Sequence, residues 1–114
     1  MTAAKILVVD DTPSNVKLLV DILGAKGYAV VTATNGTEAL ECVEREAPDL
    51  VLLDVMMPGM SGYDVCRKLR DNPATAMLPV IMVTALDPGQ ERVKGIDAGA
   101  DDFLTKPIDR KSVV

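Results

Sequence analysis

The chain contains no histidine and no tryptophan, and only one phenylalanine, two tyrosines and two cysteines among its 114 residues. Without histidine there is no Ser-His-Asp triad, no zinc site built on imidazole and no phosphohistidine carrier. A metal held by this chain is therefore a hard cation on oxygen ligands. Few aromatics leave an aliphatic core, with six methionines as adaptable filler. Cys42 and Cys66 form no CxxC pair, and each falls in a helical pattern, so both read as free, partly buried thiols. No apolar run approaches the length of a membrane span, and the N-terminus lacks the basic and apolar regions of a signal peptide. A cytoplasmic chain with no membrane partner is expected. The net charge of −5 offers no basic footprint, which argues against direct contact with nucleic acid.

What is present is a regular alternation. Hydrophobic residues make up 48% of a chain long enough to bury one core without staples, so residues 1–114 are expected to form a single domain. Lys5 to Val9 is an aliphatic strand ending on Asp10-Asp11. Thr12-Pro13 opens a helix, since proline suits the first helical position, and Val16, Leu19, Val20 and Leu23 recur at helical spacing until Gly24 and Gly27 close it. Tyr28 to Thr32 reads as a strand, and Asn35-Gly36 as a turn into a helix carrying Ala39, Leu40 and Val43. Leu50 to Leu53 is a strand ending on Asp54, followed by a Pro58-Gly59 turn. Tyr63, Val65, Cys66 and Leu69 mark a third helix. Leu78 to Thr84 is a fourth strand. Pro88 to Ala98 is a helix with Val93 and Ile96 inward, Glu91, Arg92 and Lys94 outward, and Gly99 as its stop. Asp102 to Thr105 is a fifth strand, ending at Lys106-Pro107.

Strands separated throughout by helices predict an α/β fold, a doubly wound parallel sheet with right-handed crossovers. A last helix should cover the sheet, yet only Ile108 to Val114 remain, so that helix is expected to be truncated.

In such a sheet the carboxyl ends of the strands share one edge, where ligands bind. That edge gathers Asp10, Asp11, Asp54, Thr84 and Lys106. Each has an ordinary reading by itself: the acid pair as a helix cap, Asp54 in a turn, Thr84 as a strand end, Lys106 as a solvated charge. Together they are harder to dismiss. Two carboxylates ~4 Å apart at an effective dielectric of ~20 repel by about 4 kcal/mol. A divalent cation removes that repulsion, and Mg²⁺ suits a shallow site with few protein ligands. Lys106 adds a compact positive charge and Thr84 a hydroxyl donor. A carboxylate nucleophile, a cation and donors for equatorial oxygens are the equipment of phosphoryl transfer.

These words, Val8-Val-Asp-Asp11, Leu53-Asp-Val-Met-Met-Pro-Gly-Met-Ser-Gly62, Val83-Thr-Ala85 and Lys106-Pro107, together resemble the receiver domain of two-component response regulators across the whole chain. Asp54-Val-Met-Met-Pro-Gly-Met with Asp102-Phe-Leu-Thr-Lys-Pro-Ile108 is closest in wording to the first receiver of PleD-type diguanylate cyclase regulators. The resemblance implies a flavodoxin-like fold with five strands in the order 2-1-3-4-5. It implies that Asp54 accepts a phosphoryl group from a sensor histidine kinase or phosphotransfer protein, and that an output domain or effector protein reads the result. Asp11, Asp54 and the backbone carbonyl of Met56 would hold Mg²⁺, or Mn²⁺ in its place, with Asp10 acting through water. Lys106 would contact the phosphoryl group, Pro107 would follow a cis peptide bond, and Thr84 and Phe103 would carry the switch.

The resemblance further implies a phosphoacceptor, not an enzyme beyond its own phosphotransfer and slow self-dephosphorylation. Met56 and Leu86 stand at the positions flanking the attacking water, and neither can orient one. The last strand, the helix before it and the final helix form the surface many receivers use to make a homodimer. Three rivals share parts of the pattern. A haloacid-dehalogenase-type phosphatase needs a second acid where Met56 stands, and a flavodoxin needs a phosphate loop where the first acids stand. A pseudo-receiver, a protein-binding module that is never phosphorylated, generally lacks an acid or the lysine retained here.

Overall fold

A computed structural model of the chain describes residues 3–84 and 88–105. Its elements are β1 (Lys5–Val9), α1 (Pro13–Ala25), β2 (Ala29–Ala33), α2 (Gly36–Glu46), β3 (Leu50–Asp54), α3 (Gly62–Asp71), β4 (Val80–Thr84), α4 (Pro88–Ala98) and β5 (Asp102–Thr105). All strand pairs are parallel, in the order β2-β1-β3-β4-β5. This is the expected flavodoxin-like arrangement.

Alternation along each strand divides the core. Leu7, Val9, Val51, Leu53, Val80 and Met82 face the layer formed by α2, α3 and α4, where Ala39, Cys42, Val43, Val65, Leu69 and Ala98 meet them. Ile6, Val8, Leu52 and Val83 face the other way, against Leu19, Ile22 and Leu23 of α1. Both faces of the central strands are thus apolar, which is why they read as continuous aliphatic runs. On the second face, Ile6, Leu23, Leu50, Leu52, Ile81 and Leu104 line a groove of about 470 Å³. The final helix expected over this sheet falls on Ile108 to Val114, outside the described residues.

Several local expectations are corrected. β2 runs from Ala29 and β4 from Val80, so Tyr28, Leu78 and Pro79 are lead-in residues. Asn35-Gly36 leads into α2 as expected, with Asn35 as the N-cap, its side chain accepting the Glu38 backbone N–H at 2.8 Å. Gly24 lies inside α1, and it is Gly27, at φ +92°, that turns the chain. Cys42 and Cys66 are fully buried, at 1% and 0% exposure, and both are free thiols. The largest correction concerns α4. Val93 and Ile96 are 61% and 59% exposed, whereas Gly95 and Ala98 face the sheet. Lys94 is exposed as expected, and the side chains of Glu91 and Arg92 lie outside the description. Gly99, at φ +102°, ends the helix as expected.

Candidate functional site

The parallel register brings the acids together. Val9 pairs with Leu53, so Asp10 stands level with Asp54 at the carboxyl edge, and Asp54 itself pairs with Val83, the neighbour of Thr84. Asp10, Asp54 and Thr84 are buried at 2–3% exposure, while Asp11 is exposed. The carboxylates of Asp10, Asp11 and Asp54 each offer an oxygen within 4.8 Å of the others.

Backbone groups hold this cluster in place. Asp10 Oδ1 accepts the Thr12 N–H at 2.9 Å, which fixes the turn from β1 into α1. Its own N–H donates to the Ala33 carbonyl at 3.2 Å. Asp54 Oδ1 lies 3.4 Å from the Met56 backbone N–H, so the chain bends around the carboxylate directly after the strand. Gly59, at φ +79°, completes the Pro-Gly turn expected there.

Gly62 is a supporting residue that sequence reasoning passed over. A Cβ at this position would meet the Asp54 carbonyl oxygen and come within 3.0 Å of Val55 Cα. Only glycine lets the first turn of α3 rest on the end of β3. Its N–H donates to the Val55 carbonyl at 3.0 Å, and a capping box between Ser61 and Asp64 fixes the helix start. The only sequence signal was a Ser-Gly pair directly before a helical pattern.

Phe103 is half-buried and pairs across β4–β5 with Met82. Met56 is 63% exposed beside the acid cluster. Lys106, Pro107 and Leu86 lie outside the described residues, as does the expected cis peptide bond.

The donor set fits a small hard cation. Three carboxylates supply oxygen only, two are held by backbone contacts, and exposed Asp11 leaves the site open to water, which suits an ion that keeps part of its hydration. Two such charges ~5 Å apart at an effective dielectric of ~20 repel by about 3 kcal/mol, less where water screens Asp11.

A parallel five-stranded sheet with an acid triad at its carboxyl edge defines a class, and sequence comparison agrees with it. The chain belongs to the response regulator receiver domains, whose family pattern matches residues 6–114. It is 55% identical over 107 residues to the response regulator PleD of Caulobacter vibrioides, matching 94% of this chain but 24% of PleD, so it spans about a quarter of that relative's length. A chemotaxis protein of Vibrio cholerae superposes with a TM-score of 0.93 at 30% identity, over 98% of this chain and 93% of that one. The receiver domain of a sensor histidine kinase from Pseudomonas aeruginosa, solved with a magnesium ion coordinated in its active site cleft, superposes at 0.87 with 31% identity, over 96% and 90% of the two chains. No helix among the described residues is long and apolar enough to cross a membrane.

Proposed function

We propose that the chain is a single receiver unit whose Asp54 accepts a phosphoryl group from the phosphohistidine of a sensor kinase or phosphotransfer protein, and so controls an output domain or effector. The observation that carries this is the meeting of Asp10, Asp11 and Asp54 within 4.8 Å at the carboxyl edge of the sheet. In the transfer, an Asp54 carboxylate oxygen bonds to phosphorus as the P–N bond to the donor imidazole breaks. The imidazole keeps the bonding pair and takes up a proton, and an acyl phosphate remains on Asp54.

When bound by Asp11, Asp54 and the Met56 carbonyl, and by Asp10 through water, Mg²⁺ or Mn²⁺ supplies positive charge against the transferring oxygens. The magnesium held in the Pseudomonas aeruginosa receiver supports that assignment. Exposed Asp11 keeps a path open for the donor. Lys106 contacts the phosphoryl oxygens. Thr84 donates its hydroxyl to them, and Phe103 responds with it, so that the phosphorylated state favours one of two conformations.

Intact mass after incubation with acetyl phosphate and Mg²⁺ tests the reading. The expected gain is about 80 Da, the mass of one phosphoryl group, absent in Asp54→Ala and absent with EDTA. If the mass does not change, also in a chain extended past Val114, the protein is a pseudo-receiver that binds without being phosphorylated.

A further inference from the structure

We infer that Gly95 is a positioning residue for the Phe103 ring: its missing side chain creates the slot on α4 that lets the ring lie between helix and sheet. The inference rests on the reading of Phe103 as a switch, and adds to it the part of the fold that receives the ring.

A Cβ built at Gly95 would lie 2.5 Å from Phe103 Cε1, closer still to Cζ, and 3.2 Å from Met82 Sδ. The ring tip therefore occupies the space that any other residue's side chain would take. Glycine inside a helix is unfavourable relative to alanine, so its place in α4 calls for a packing reason, and the ring supplies one. The residues on either side of this contact reinforce it. Val93 and Ile96 turn to solvent, so among the described side chains of α4 it is Gly95 and Ala98 that meet the sheet layer. Both are too small to fill the gap between helix and strand. Phe103, projecting from β5 beside Met82 of β4, fills it instead.

The geometry also says what gives way on substitution. The atoms nearest to a new Cβ are the far end of one side chain and a methionine sulfur, with no backbone atom among them. Alanine is the better helix former, so Gly95→Ala leaves α4 helical and displaces the ring. Shortening the ring relieves the conflict.

Phe103 is the only phenylalanine in the chain, so ring-¹³C-labelled phenylalanine gives one assignable set of NMR signals. In the unsubstituted protein the ring is expected to show cross-peaks to the Gly95 α-protons, with shifts that change when acetyl phosphate and Mg²⁺ are added. In Gly95→Ala the ring should lose its contact with the Met82 side chain, and the ring shifts should move to solvent-exposed values. The ring should then stop responding to acetyl phosphate, although Asp54 still gains its phosphoryl mass. A ring that keeps its contacts and its response in Gly95→Ala overturns the inference. A ring in the unsubstituted protein that contacts Gly95 but ignores phosphorylation defeats the switch reading and leaves the slot standing.

A thermal-melting cycle covers the case in which Gly95→Ala folds poorly. The destabilisation caused by Gly95→Ala should disappear or reverse in a Phe103→Leu background. Equal effects of Gly95→Ala in both backgrounds would show that the two positions are independent, which overturns the slot.

Discussion

Met56 follows the proposed acceptor by two residues and keeps 63% of its surface in solvent, so its thioether can lie across the approach to Asp54 without a cost in packing. A thioether neither donates nor strongly accepts a hydrogen bond, so it cannot orient a water for attack on the acyl phosphate. Met56→Asn places an amide there, and decay of labelled phosphoprotein is expected to quicken about tenfold, below the full worth of a positioned general base. An unchanged half-life would remove Met56 from that role. The two thiols make a second prediction at this scale. Burial pushes both above the ordinary value of 9.0, against the lowering influence of Arg45 on Cys42 and of Arg70 on Cys66. The folded chain thus keeps two protons at a pH where the unfolded chain has begun to lose them. It binds more protons than the unfolded state, so stability falls as pH rises past about 9. Melting temperatures between about pH 8 and pH 10 should decline less steeply in Cys42→Ala/Cys66→Ala than in the unsubstituted protein, whatever the absolute change from the lost packing.

Arg70, in the last turn of α3, ties elements that sequence order keeps apart. Its Nε donates to the Gly99 carbonyl at 2.9 Å, and its terminal nitrogens donate to the Leu78 carbonyl at 2.6 Å and to Asp101 Oδ2 at 2.9 Å. The same Asp101 oxygen accepts the Val80 N–H at 2.8 Å. One guanidinium therefore secures the end of α4, the start of β4 and the turn into β5. Arg70→Met should cost about 2–3 kcal/mol, since partly buried bonds to a charged group are lost together, and lower the melting temperature by about 10 °C. Arg70→Lys should recover less than half, because a point charge cannot serve three acceptors placed for a planar fork. None of this was visible in the sequence, because the main partners are backbone carbonyls, which have no residue signature. The strands were visible: short aliphatic runs bounded by turn residues, such as Leu50–Leu53, read as strands buried on both faces of a covered sheet. The acid cluster was visible as well, since Asp10, Asp11 and Asp54 each end such a run and the parallel order of strands brings those ends together. The inner face of α4 was misread for a physical reason. Periodicity marks Val93 and Ile96 as residues able to bury, but the close approach of helix to ring selects Gly95, which has no hydrophobic signal at all.

Across the whole molecule, a net charge of −5 is concentrated in part on one edge, where three carboxylates face each other within 4.8 Å. Exposed Asp11 adds its charge to two buried acids, and a divalent cation bound there favours the fold, because the unfolded chain holds no such set of ligands. Saturating Mg²⁺ at about a hundredfold excess over its dissociation constant would stabilise the fold by about 2.7 kcal/mol. Asp11 is the member of the cluster that can be changed with least harm: it is exposed, whereas buried Asp10 anchors the turn into α1 through Thr12. Asp11→Asn is therefore expected to melt above the unsubstituted protein in EDTA, since one repulsive charge is gone. It should gain markedly less from Mg²⁺, since one ligand charge is gone as well. Sodium chloride should narrow the difference in EDTA by screening the exposed acid. The two effects of Asp11→Asn have opposite sign and a single origin, so they must appear together if the acids form one cation site. A variant that gains as much from Mg²⁺ as the unsubstituted protein would place the stabilising ion elsewhere.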